Sequence, residues 1–114
     1  MGCRIVRTFP GSNITGTFTQ TGLTIAGKVT TVTVTDAAWT ALPVTALSNR
    51  NQLNIQNRSG ANIVIDYINT NPGYVGLELE NDTERQYAIT DSIIIYAKAE
   101  PLAGSVSILV EELS

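Results

Sequence analysis

Residues 28–35 read Lys-Val-Thr-Thr-Val-Thr-Val-Thr, with Val29, Val32 and Val34 set among threonines. Side chains branched at Cβ lose rotamer freedom in a helix and pack well on a pleated surface, so this run is expected as a strand. Working outward toward the C-terminus, the same signal returns in short pieces. Leu53 and Ile55 alternate with Gln52, Asn54 and Gln56, which predicts a strand with one wet face. Arg58–Asn62 reads as a turn, and Ile63–Ile68 as the next strand. Asn71-Pro72-Gly73 is a turn signal, because proline presets φ and glycine accepts a positive one.

Further along, Leu77 and Leu79 are expected to point inward with Glu78 and Glu80 outward, and Asn81–Arg85 to form a polar loop. Ser92–Ala99 (SIIIYAKA) is apolar enough at Ile93–Tyr96 for a central strand buried on both faces. Pro101–Gly104 turns the chain. Val106, Ile108 and Val110 then alternate with Ser105, Ser107 and Leu109 in a last strand. Between the first run and Leu53, Asp36-Ala37-Ala38-Trp39 is expected to make one helical turn, which Pro43 prevents from growing. Short strands at this spacing predict an all-β domain, an antiparallel β-sandwich or jelly-roll-like barrel, over residues 28–114.

Residues 1–27 differ. Ile5, Val6, Phe9, Ile14, Phe18, Leu23 and Ile25 are interspersed with Thr, Ser and Gly, and Gly11, Gly16, Gly22 and Gly27 interrupt them every five or six residues. Such a segment has too little apolar area for a core of its own. It reads as an extended N-terminal arm, or as peripheral strands pairing back on the domain; fully extended it reaches roughly 90 Å at about 3.3 Å per residue.

Composition narrows the function classes. The 114 residues include 43% apolar and only 15% charged side chains. Thr and Asn occupy the polar places that Lys and Glu usually hold, which favours strands and turns. The net charge of −3 argues against a nucleic-acid partner, which calls for a basic face. The charge is uneven. Residues 1–58 carry Arg4, Arg7, Lys28, Arg50 and Arg58 against Asp36, a net of +4. Residues 59–114 carry Arg85 and Lys98 against nine acids, a net of −7. Two differently charged faces of one domain would give this split. So would head-to-tail complementarity, one copy's basic end meeting its neighbour's acidic end.

Chemistry has little to work with. The sequence has no His, which removes the commonest general base and metal ligand, and its one cysteine, Cys3, has no disulfide or His partner. There is no phosphate-binding glycine loop and no zinc spacing. Glu78, Glu80, Asp82 and Glu84 are spaced by two, which on a single strand would gather oxygen ligands for Ca²⁺ on one face. The alternation with Leu77 and Leu79 accounts for Glu78 and Glu80 as a solvated face. No catalytic site, cofactor or metal is expected.

Met1-Gly2-Cys3 invites a lipidation reading, but Val6 stands where a myristoylation signal wants Ser or Thr. With no apolar run before Cys3 and none long enough to span a bilayer, the expectation is a protein made in a cytoplasm, without a membrane partner. The sequons at Asn13, Asn57 and Asn81 are what an Asn- and Thr-rich chain carries by chance. Trp39, flanked by Ala37, Ala38, Ala41 and Leu42, reads either as core or lid packing or as an interface anchor. Tyr67, Tyr74, Tyr87 and Tyr96 fall in separate strands and turns, so core and rim packing is their expected role, with a sugar site as the alternative.

From Val32 onward the chain resembles small β-sandwich virion proteins of tailed bacteriophages. The resemblance rests on the Thr/Val strand, the Trp39 link ending in Ala41-Leu42-Pro43, Ser48-Asn49-Arg50, and Leu53–Asn57 closed by Ser59-Gly60. It continues through Asn62–Tyr67, Gly76-Leu77, Ile94–Ala99 and Gly104–Glu111, none of them a catalytic signature; residues 1–27 have no counterpart in the pattern. The resemblance implies a head decoration (cement), head-fibre or neck and tail component, built as trimers or larger rings and located in the virion. Its partners would be further copies of the chain, trimers foremost, and the major capsid protein or neighbouring virion proteins. Arg4, Arg7, Phe9, Phe18 and Trp39 are the expected contact residues, with the arm adding to a neighbour's sheet edge by main-chain hydrogen bonds. A carbohydrate-binding module would share the fold and is the alternative.

Overall fold

The structure, a computed structural model, describes residues 26–114. Eight strands follow one another, and no helix lies among them: β1 (Gly27–Thr35), β2 (Thr40–Ala41), β3 (Gln52–Asn57), β4 (Ile63–Asp66), β5 (Leu77–Leu79), β6 (Thr83–Tyr87), β7 (Tyr96–Ala99) and β8 (Ser105–Leu113). All pairings are antiparallel. The first strand pairs with the last, β2 with β7, β3 with β6 and β4 with β5. Two further pairings, β3 with β8 and β4 with β7, stitch this doubled ribbon into two four-stranded sheets, β1-β8-β3-β6 and β2-β7-β4-β5. A ribbon paired end to end and then rolled up is a jelly roll. The all-β sandwich expected from the sequence is the one observed.

The core lies between the sheets. β1 contributes Val32 and Val34, β3 Leu53 and Ile55, and β8 Ile108 and Val110; from the other sheet come Ile63, Ile65, Leu79, Ala97 and Ala99, with Leu42 and Ile95 beside them. Each fully buried aliphatic side chain of this size stabilises the fold by roughly 1.5–3 kcal/mol. The period-two alternation is clean in β3 and β8, where every second residue is buried. β7, paired on both sides, is buried on both faces at Ala97, Lys98 and Ala99.

Several local expectations need correction. Residues 36–39 form a bend and not a helical turn. Asp36 is committed elsewhere: its N–H donates to Gly104 O (3.0 Å) and its carboxylate accepts the Gly104 N–H (3.0 Å), clasping the β1 exit to the turn before β8. Gly104 has φ +72°, which a residue with a Cβ adopts at a cost.

The strand expected over 63–68 ends at Asp66, whose carboxylate accepts the Tyr67 N–H and the Asn71 amide. The bend expected at Asn71-Pro72-Gly73 falls at Gly73 and Tyr74, and Gly73 takes no left-handed φ. Leu77 shares the inward register of Leu79, but β5 is an edge strand, and Leu77 stays 53% exposed. Asn81–Arg85 is not a loop. The turn is confined to Asn81 and Asp82 (φ +65°), and β6 starts at Thr83. β7 starts only at Tyr96, and Ile93 is exposed.

Candidate functional site

Among the expected contact residues, Arg4, Arg7, Phe9 and Phe18 lie outside the described residues, as does most of the arm. Trp39 is half-buried. Its indole N–H donates to Asn71 O (2.7 Å), and Lys98 Nζ sits 5.9 Å from the ring centroid. Extending the β2–β7 register by one residue places Trp39 opposite Lys98, which pairs with Val64, which pairs with Glu78. This row crosses the outer face of the second sheet under the 67–76 segment. Lys98 is buried there, its Nζ donating to Pro72 O at 3.4 Å. One face of Trp39 is therefore engaged as a lid over Lys98.

The acidic run does not share a face. Glu78 projects outward from β5 in one sheet, Asp82 sits in the turn, and Glu84 projects outward from β6 in the other sheet, opposite Gln56. Among the described residues no three Asp, Glu, Cys or His side chains converge on one point. All four acids are exposed. Tyr74 donates to Glu78 Oε2 (3.2 Å), and its hydroxyl is pushed up to about 12, first by burial and then by the adjacent Glu78 charge. Tyr67 meets Tyr87 edge to face, with ring centroids 6.5 Å apart and planes at 79°. The fold thus brings Tyr67 and Tyr87 together despite their separation in the sequence, while Tyr74 is held by Glu78.

Two surfaces stand out. The outer face of the β1-β8-β3-β6 sheet is built in cross-strand rows. One runs Val29, Glu111, Asn54 and Gln86, the next Thr31, Leu109, Gln56 and Glu84, and beyond them Thr33 faces Ser107 and Thr35 faces Ser105. Apart from Glu84 and Glu111 the side chains in these rows are uncharged, and Val29 and Leu109 are exposed. The second surface is the opposite edge of the sandwich, where β5 and β6 end the two sheets. There Tyr67, Leu77 and the neighbouring Ile68 and Val75 are exposed, bordered by the acids.

A buried charge pair was not anticipated from the sequence. Arg50 Nη1 meets Glu112 Oε2 at 2.8 Å, with both side chains fully excluded from solvent. Arg50 also donates to Thr90 O (3.2 Å) and Ile93 O (2.6 Å), and Glu112 Oε2 also accepts the Leu47 N–H (2.7 Å). Two loops and the last strand are tied at one point. The signal was available: Val106, Ile108, Val110 and Glu112 share one parity, so the last strand's inward face ends in a carboxylate.

No family model, curated protein or solved structure matches the chain. No helix among the described residues is long and apolar enough to cross a membrane, which says nothing about strands.

Proposed function

We propose that the chain is a structural protein of a bacteriophage particle, a decoration (cement) protein that binds the capsid and stabilises it through protein–protein contacts. It acts as a homo-oligomer, a trimer foremost, against the major capsid protein or a neighbouring virion protein. The observation that carries this reading is the outer face of the β1-β8-β3-β6 sheet. The exposed apolar pair Val29 and Leu109 is flanked by Thr31, Asn54 and Gln56 and by the two carboxylates Glu84 and Glu111, and the face continues through the short uncharged Thr33, Ser105 and Ser107. Threonine and serine lose little rotamer entropy when buried, and few charges need desolvation, so such a face suits contact with another protein. Many weak contacts of this kind become effectively permanent when one oligomer touches several lattice sites at once.

The particle itself enters through the resemblance of residues 32–111 to small virion proteins, together with a jelly-roll architecture that serves viral capsid and lectin domains alike. That link is an analogy of fold and pattern. It is tested by mass spectrometry and antibody labelling of particles banded from a culture expressing the chain's gene in its native setting. The chain is expected in the particle band in fixed proportion to the major capsid protein, with label on the heads. Label on the tail or neck would move it there, and a chain found only in the soluble fraction would sink the reading.

A further inference from the structure

We infer that the β5–β6 edge of one copy is the receptor for residues 4–9 of a second copy, giving a head-to-tail joint between identical subunits. Strand order supplies the geometry. β1, into which the arm leads at Ala26, ends one side of the first sheet, and β6 ends the other. In the second sheet β5 ends the side that β6 ends in the first, since the Tyr67 ring just past β4 lies against Tyr87 of β6. The chain's arm-bearing edge and its β5–β6 edge therefore face opposite ways. A neighbour set beside β1 brings its own β5–β6 edge next to Ala26. The chain's own copy of that edge lies across three strand spacings, about 14 Å of sheet and within the arm's reach, so pairing within one copy is the alternative that a monomeric wild type would report.

The chemistry of the two partners matches. The receiving edge exposes apolar surface, with Tyr67 54% and Leu77 53% exposed, and the carboxylates Glu78, Glu80, Asp82 and Glu84 outnumber its cations, Arg85 beside Tyr87 and Arg58 beside Glu84. Residues 1–25 contain no acid, and Arg4-Ile5-Val6-Arg7-Thr8-Phe9 combines two cations with three large apolar side chains. Apolar contact supplies the attraction, while the charges set orientation and exclude like-charged pairings. Because the two patches differ, the joint is heterologous. Repeating it closes a ring if the rotation closes, and otherwise builds an open chain.

This inference rests on reading the chain as a subunit of an assembly, but not on which particle it serves. The test therefore uses purified full-length protein alone, so its failure and that of the virion reading are separable. Native mass spectrometry is applied to wild type, to an Arg4→Glu/Arg7→Glu variant and to a Leu77→Asp variant, with thermal melting as the check on folding. Wild type is expected to assemble, and each variant alone to be monomeric. An equimolar mixture of the two variants should stop at a 1:1 dimer, because one keeps a working edge and the other a working arm. If Leu77→Asp fails to melt cooperatively, Glu80→Lys/Glu84→Lys replaces it alone. Combined with the arm reversal in one chain, that edge reversal should restore assembly. Monomeric wild type, variants that assemble as wild type does, or a mixture that stays monomeric would each overturn the inference.

Discussion

Arg50 and Glu112 show how much one buried pair can ask of a small core. Both side chains are fully excluded from solvent, and Glu112 Oε1 has no hydrogen-bond partner among its neighbours. Bringing two charges out of water costs several kcal/mol each, which their contact and the bonds to Thr90 O, Ile93 O and the Leu47 N–H must offset. The asymmetry gives a prediction. Arg50→Ala strands a buried carboxylate and should cost about 3–5 kcal/mol in urea unfolding. The double change Arg50→Met/Glu112→Leu removes the charge problem altogether and should recover most of that loss. If the double variant is as unstable as the single one, the loops depend on the polar bonds themselves. The pair was hard to see in the sequence because its members stand sixty-two positions apart and each resembles an ordinary surface charge. Only the parity of β8 singles out Glu112.

Among the elements, β3 and β8 were legible from their alternation of wet and dry faces, and β1 from its run of β-branched Val and Thr. β6 was not, because its sequence Thr-Glu-Arg-Gln-Tyr has no apolar stripe. An edge strand over the rim of a core needs little apolar surface, so its composition does not differ from that of a polar loop. β7 starts four residues after its expected start at Ser92, because the apolar run Ile93–Ile95 precedes the strand and only Ile95 of it is buried, while the strand's own buried positions are filled by alanines and a lysine. The helical turn at 36–39 was lost to tertiary bonding of Asp36 with Gly104. One element boundary depends on a single atom's absence. A Cβ on Gly76, at the entry to β5, would stand 2.7 Å from the Ile65 carbonyl oxygen, which is held in the β4 ladder. Gly76→Ala should therefore shift β5 off β4 and cost about 1–3 kcal/mol, the range typical of overpacking. Loss of amide protection at Leu77–Leu79, measured by hydrogen exchange, would locate the damage, and an unchanged melting point would show that β5 moves at no cost.

Over the whole molecule, pairing the first strand with the last leaves the beginning and end of the domain side by side. The Ser114 N–H donates to Ala26 O at 2.8 Å, and Gly27 pairs with Leu113. The fold should then tolerate new ends. A permuted chain that joins Ser114 to Ala26 by a short glycine linker and opens between Leu102 and Ala103 is expected to unfold in one cooperative step by circular dichroism. Failure to fold would mean that the order in which the ribbon closes matters, and not only its final pairing. The arm and the contact residues proposed within it were legible as composition only, since charge and apolar content can be counted in a sequence while the surface proposed for them forms only when two distant edge strands are folded together.

The turn at Leu102 has a practical side. Its side chain is 99% exposed, and it lies at the far end of the β1–β8 ribbon from Ala26 and Ser114. Nine paired residues separate the two ends, about 30 Å. A peptide fused after Ser114 would crowd the corner from which the arm departs. The same peptide inserted at Leu102 would stand clear of that corner, tethered at the opposite end of the domain from both of its termini.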